Sequence, residues 1–450
     1  MASARRTWSV PYTPSPPSTP IATPRLFLPI QPHPTISHLP HLPTPSRQPR
    51  IHAAYALTTH LIPAAFPRSV PDIPLPVIPP HSTSPTAPDR QAQVASLARQ
   101  LEERQASFVQ GKLCNSHSQR PLWNCVNRYA RTDNRGHGIS LFLAHANGFF
   151  KEIWEVMLRD LFDSPAAPLV DEVWSWEAVH HGDSALVNAG NLSGIVDWQD
   201  NARDIANFLL NYLPDDTTPA SLPTHLERIP KSTSDARKDH GYSKRTLVVV
   251  GHSFGGTTSI LAALNFPKLF SSLILVDPVI GFNSRSAKET DGNTSNLTLG
   301  ALIRRDIWPS REEALRLFKQ SPFFASWHPQ VLELYVNYGL TADSASNGVK
   351  LKMSPLQEAL TFVDTRVAKE VWELLETLDA NITLRWIVPI PGVLDQEQAR
   401  MGVWRRPSNT SNVVFPFAGH LVVQEAPVEL AHDIATFLLG KYGSRTKATL

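Results

Sequence analysis

Cysteine is nearly missing from this chain of 450 residues. It has two, Cys114 and Cys125, too few for a disulfide framework or a zinc cage, so two free thiols in a reducing, intracellular compartment are expected. A large excess of charge of one sign is also missing. The formal net charge of +2 gives no electrostatic reason to expect nucleic acid or an anionic membrane surface as a partner. No apolar run approaches the roughly 18 residues of a membrane span, and the opening Met-Ala-Ser-Ala-Arg-Arg-Thr-Trp lacks the apolar stretch of a secretory signal. Acidic residues are absent from positions 1–53, whereas more than half of the 40 prolines fall before residue 91. Such a segment can neither hold helix hydrogen bonds nor bury a core. Residues 1–53 are therefore expected to form a disordered, Pro-rich extension.

Hydrophobic residues, at 42%, are ample for a large core. Order is expected from about residue 54, where Ala-Tyr-Ala-Leu-Thr-Thr-His-Leu-Ile-Pro63 alternates like an edge strand ended by proline. Asp89 can cap a helix that sets Val94, Leu97, Ala98 and Leu101 on one face. From Leu122 onward strands and helices alternate: strands at Trp123–Tyr129, Ile139–Ala144, Glu172–Trp176 and Ser272–Val276, helices at Phe149–Leu161 and Val196–Leu213. Such alternation predicts an α/β fold, a mostly parallel sheet with helices on both faces. A polar insert, 215–243, interrupts the first part of this core (54–281). Residues 282–364 read as mainly helical and aromatic, with Ser310-Arg-Glu-Glu313 as a capping box, and alternation resumes over 365–445. A helical insertion beside the strand ends is a natural lid.

The most informative stretch is Leu247-Val-Val-Val-Gly-His-Ser253-Phe-Gly-Gly256. A buried strand runs into Gly-x-Ser-x-Gly, and an apolar helix follows. A serine at such a corner sits in a strained turn with its hydroxyl outward, and the flanking glycines leave room where a Cβ would collide. Serine is a poor nucleophile without a base. Among 17 histidines, His420 stands between the last strand (Val413–Phe415) and the last helix (Pro427–Leu439), on a loop at the carboxyl edge of the sheet. The imidazole needs a carboxylate. Asp277, which ends the strand after the nucleophile, and Asp395, in the loop after the strand Ile382–Val388, both qualify. Asp277 is preferred because a strand end before a proline fixes it more firmly. The amide of Phe254 and one in His145-Ala-Asn147-Gly-Phe, best that of Asn147, are the expected oxyanion donors. His252 is expected to pack. His180-His181-Gly-Asp183 has no further ligands at metal spacing and reads as a loop near the cleft.

The stretches Thr58-Thr-His-Leu-Ile-Pro63, His145-Ala-Asn-Gly-Phe149, His181-Gly-Asp-Ser184, Gly251-His-Ser-Phe-Gly-Gly256, Leu275-Val-Asp-Pro278, Asp306-Ile-Trp-Pro-Ser-Arg311 and Gly419-His420 make residues 54–440 resemble the fungal serine hydrolases of the α/β-hydrolase fold. That group includes peroxisomal lipases, toxin-biosynthesis hydrolases and the acyl-CoA hydrolase of mycophenolic acid biosynthesis. The resemblance supports Asp277 as the acid. It implies an ester or thioester hydrolase with an apolar acyl substrate, no metal and no cofactor. A peroxisomal address would also follow from it, but the chain ends Lys447-Ala-Thr-Leu450 in place of a Ser-Lys-Leu type tail. The contrasting expectation is a non-catalytic protein that uses the same fold to hold a small molecule.

Overall fold

A computed structural model of the chain describes residues 7–8, 20–34, 36, 38–44, 47, 51–79, 87–113, 120–133, 136, 138–217, 222–281 and 293–443. Its centre is an eight-stranded sheet built from β1 (Tyr55–Pro63), β2 (Trp123–Arg131), β3 (Ile139–Ala144), β4 (Val170–Trp176), β5 (Thr246–His252), β6 (Ser272–Val276), β10 (Thr383–Pro389) and β11 (Thr410–Phe415). The spatial order is β1-β2-β4-β3-β5-β6-β10-β11. β1 and β2, and β2 and β4, pair antiparallel, and the remaining neighbours pair parallel.

Successive residues of a strand face opposite sides, and here both sides are covered. Val248, Val250, Ile274 and Val276 pack with Met157, Leu158, Leu161, Leu430, Ile434 and Leu438 of the helices Glu155–Phe162 and Pro427–Tyr442. Leu247, Val249, Leu273 and Leu275 pack on the opposite side with Ile205, Leu209, Ile260 and Val371, from the helices Trp198–Asn211, Phe254–Asn265 and Arg366–Leu374. Burial on both faces explains why these strands read as unbroken apolar runs.

The insertion carries the helices Asn293–Ile303, Arg311–Gln320, Pro329–Gly339 and Pro355–Val363. It also holds a three-stranded antiparallel sheet that the sequence did not announce, β7 (Ile307–Trp308), β8 (Leu340–Asp343) and β9 (Gly348–Leu351), in the order β7-β9-β8. Its first residues, 282–292, lie outside the described residues. At Ser310 half of the expected capping box forms: the Glu313 amide donates to its hydroxyl, while the Glu313 carboxylate turns to Arg316. The complete box is at Ser354 and Gln357. Trp308, Phe318, Trp327 and Tyr335 are buried and pack on one another as core. The helix Ala87–Val109 buries Val94, Leu97, Ala98 and Leu101 against Leu302, Leu356 and Leu360 of the insertion.

The described residues of the extension differ from the expected disordered tail of 1–53. They lie along the core. Arg25 pairs with Asp197 and Glu370 (2.6 Å each), Arg203 donates to the carbonyls of Leu28 and Pro29, and Thr44 donates to Asp183. An extended Pro-rich chain makes few hydrogen bonds of its own, and here buried side chains of the core supply its partners. The polar insert is likewise tied down. Its helix Lys231–His240 buries Arg237, which donates to the carbonyl of Leu209. Cys125 is a buried free thiol in β2; Cys114 and the terminal 444–450 lie outside the described residues.

Candidate active site

Ser253 sits between β5 and the helix Phe254–Asn265 with φ 53° and ψ −120°, a region that non-glycine residues rarely enter. The glycines around it let backbones touch. A Cβ on Gly251 would lie 2.6 Å from Cα of Gly256, and one on Gly255 would lie 2.3 Å from the carbonyl oxygen of Ala144. The second contact presses the turn after β3 against the start of the helix. The Ser253 amide donates to the carbonyl of Val276 at 3.0 Å, tying the corner to β6.

Asp277 follows β6 with φ 40°. Its carboxylate is buried; Oδ2 accepts the Val393 amide at 2.8 Å and lies 2.7 Å from His420 Nδ1. His420 Nε2 lies 3.0 Å from Ser253 Oγ. Residues far apart in the chain thus form one line of hydrogen bonds, and the His420 side chain, 29% exposed, keeps one face toward solvent. The structure does not bring Asp395 into this line. Its carboxylate caps the helix Gln396–Trp404 by accepting from the Gln398 amide at 2.9 Å.

Two supports of His420 were not foreseen. His252 is buried as expected, and its Nε2 lies 2.8 Å from the carbonyl oxygen of His420, so it donates there. Burial, then the neighbouring His420, pushes the His252 pKa down to about 3, which keeps the ring neutral. Glu425 accepts the Gly419 amide at 2.5 Å and the Ser326 hydroxyl of the insertion at 3.1 Å. No sequence motif marks either contact.

The amide of Phe254, first in its helix, has no carbonyl one turn back to bond, and the Phe254 ring is buried against Trp198. Asn147, in the turn after β3, is 8% exposed; its Nδ2 donates to the carbonyl of Glu358 in the helix Pro355–Val363 at 3.2 Å. Among the described residues no group of three or more His, Cys, Asp or Glu could hold a metal ion, and no helix is long and apolar enough to cross a membrane.

A corner serine in a strained turn, followed by an acid on the next strand and a histidine after the last one, is the arrangement of one large fold family, and the family profile of the alpha/beta hydrolases matches residues 141–433. The chain belongs to the alpha/beta hydrolase family. Within that family it is 26% identical over 340 residues to the peroxisomal membrane protein LPX1 of Saccharomyces cerevisiae, a match covering 69% of this chain and 78% of that one. It is 28% identical over 235 residues to the type I acyl-CoA thioesterase mpaH of Penicillium brevicompactum. That match covers 47% of each chain, so it spans about half the length of this relative. The crystal structure of the peroxisomal alpha-beta-hydrolase Lpx1 from Saccharomyces cerevisiae superposes with a TM-score of 0.60 at 22% identity over 87% of this chain and 91% of that one. This is a likeness of fold.

Proposed function

We propose that the chain is a serine hydrolase that cleaves a carboxylic ester or acyl thioester with an apolar acyl part. The observation that carries this reading is the unbroken relay from Asp277 Oδ2 through the His420 ring to Ser253 Oγ, at 2.7 Å and 3.0 Å. Both distances are within proton-transfer reach. Ser253 Oγ attacks the carbonyl carbon as His420 Nε2 takes its proton, and Asp277 holds the ring and stabilises its charged form. The oxyanion forms against the amides of Phe254 and Asn147. The C–O or C–S bond then breaks, His420 returns the proton to the leaving group, and water resolves the acyl-enzyme by the same route.

The insertion 282–364 acts in this scheme as a lid, supported by the Glu358 carbonyl, which accepts from Asn147, and by Ser326, which donates to Glu425, the residue that accepts the Gly419 amide. A relative named as an acyl-CoA thioesterase supports keeping thioesters beside esters as substrates.

The test is a hydrolysis panel of acyl-CoAs and p-nitrophenyl esters of graded chain length, with Ser253→Ala beside the wild type and fluorophosphonate labelling of both. The variant is expected to lose about 10⁶-fold in kcat and all labelling. A folded wild type that neither turns over nor takes the label would instead support a binding protein on this fold.

A further inference from the structure

We propose that His181 is a positioning residue that holds the two oxyanion amides, those of Phe254 and Asn147, in register with each other; the inference rests on the hydrolase reading above. His181 follows β4 and is fully buried. Its Nε2 accepts the Gly148 amide at 3.1 Å and lies 3.1 Å from Asn147 Oδ1, so one ring nitrogen meets both residues at the tip of the turn after β3. The face of the same ring lies nearly parallel to Phe254, with centroids 6.0 Å apart and planes 19° apart. His181 therefore touches both halves of the site, the turn through the hydrogen bond from the Gly148 amide and the helix start through packing against Phe254.

The ring itself has little room to move. His145 and His180 each lie 4.6 Å from it, centroid to centroid. His145 is fixed in turn: Nε2 accepts the Ala178 amide at 3.2 Å, and Nδ1 lies 2.8 Å from the carbonyl oxygen of Ala146. The backbone of His181 donates to Ala178 at 3.0 Å. Behind it, Gly182 takes φ 46°, and a Cβ there would lie 2.0 Å from Glu177 Oε1, so the chain after the histidine is pressed against a buried carboxylate. Burial holds all three imidazoles well below the ordinary histidine range, and a neutral ring keeps a lone pair for an amide N–H.

Rigid support has a chemical purpose at this spot. Oxyanion donors act only when both sit about 2.7–3.1 Å from the developing charge, and a displacement of about 1 Å costs roughly 10² in rate. The two donors here belong to separate elements, joined directly by the 144–255 backbone contact and bridged by His181.

The experiment compares His181→Leu and His181→Gln with the wild type in the full chain. Three readouts are taken: kcat and KM on the best ester, the thermal midpoint, and inhibition by an alkyl trifluoromethyl ketone, which forms a tetrahedral oxyanion on the serine. His181→Leu is expected to lower kcat about 10²-fold with KM changed less than about threefold, and to weaken the ketone by a similar factor. His181→Gln, which retains a polar group at that reach, should recover about tenfold of each. A folded Leu variant with kcat within about threefold of the wild type overturns the proposal, as does a fall in kcat with ketone affinity unchanged. If the Leu variant does not fold, Gln against the shorter Asn decides, and equal kcat and ketone affinity in those two overturn it. A wild type that neither hydrolyses esters nor binds the ketone removes the parent reading and this inference with it. An active wild type with indifferent His181 variants removes this inference alone.

Discussion

β6 and β10 lie side by side and parallel, and the chain leaving each of them soon reaches an aspartate. The two have opposite fates. Asp277 stands directly at the end of β6 with φ 40°, its carboxylate buried between the Val393 amide and His420. Asp395 has φ −66° and spends its carboxylate on the first turn of a helix. A non-glycine residue held at positive φ costs on the order of 1–3 kcal/mol and persists only where the surroundings over-determine it. Here they do: the Asp277 amide donates to Ile387 of β10, and the loop after β10 supplies the Val393 amide to its side chain. The loop that carries Asp395 therefore serves the acid of the neighbouring strand. Strain and a bond to His420 distinguish the carboxylate assigned to the proposed triad from the one that caps a helix, although both are aspartates at one sheet edge.

The sharpest way to break the comparison is to neutralise each carboxylate while keeping its shape. Asp277→Asn leaves an amide that no longer stabilises a charged His420, and kcat is expected to fall about 10³- to 10⁴-fold. Asp395→Asn keeps a good helix cap, so kcat should stay within about twofold of the wild type and the thermal midpoint should barely move. Asp395→Ala should cost about 1 kcal/mol of stability, with kcat again retained. Steady-state kinetics and urea unfolding on the three variants check this. A larger kcat loss at position 395 than at 277 would exchange their roles.

Why the corner serine was legible and its surroundings less so has a physical basis. The elbow is local: strand, Gly-x-Ser-x-Gly and helix succeed one another within about two dozen residues, and each obeys its own short-range rule. The placing of His420 beside Ser253 was legible from chain order and loop position. Asp277 and Asp395 could be ranked but not separated, because the deciding bond, from Val393, comes from a residue 116 positions away. The docking of the extension's described residues was not legible at all. Composition says that the extension cannot fold by itself, which tells nothing about docking. Arg25 meets Asp197 and Glu370 across 172 and 345 positions, and no local pattern records such pairs. β7, β8 and β9 have two to four residues each, too short for a period-2 signal to rise above chance.

A smaller effect sharpens the contrast through pH. His252 holds the His420 carbonyl, and its folded pKa lies near 3, against about 6.5 for an unburied ring. The unfolded chain takes up this proton as pH falls through about 6.5, whereas the folded chain resists until about 3. The contribution of a neutral His252 is thus complete above pH 6.5 and is lost as pH falls toward 3, at up to about 1.4 kcal/mol per pH unit. His145 and His180, lowered to about 4 and about 3, add in the same direction. Urea unfolding at pH 7, 6 and 5 should show falling stability. His252→Gln, which keeps a donor for the His420 carbonyl, should show a slope shallower by about one proton. An unchanged slope would mean that His252 is not buried in its neutral form.

The smallest change probes the seat of Asp277 through a residue that carries no chemistry. Gly392 lies in the loop after β10, and a Cβ built there would stand 3.0 Å from both carboxylate oxygens of Asp277 and 3.1 Å from the carbonyl of Pro389. Gly392→Ala must therefore displace the carboxylate by a few tenths of an ångström, and the shift passes to His420 Nδ1 at 2.7 Å and from there to Ser253. Since about 1 Å of misplacement costs roughly 10², a shift of this size is expected to lower kcat about tenfold, close to 1.4 kcal/mol in the barrier, with KM unchanged. Gly440→Ala is the matching control, because nothing lies within 4 Å of its added Cβ; its kcat should equal that of the wild type. Equal kcat in both variants would show that the Asp277 carboxylate has room to yield without disturbing the relay, and positional strictness would then lie with His420 alone.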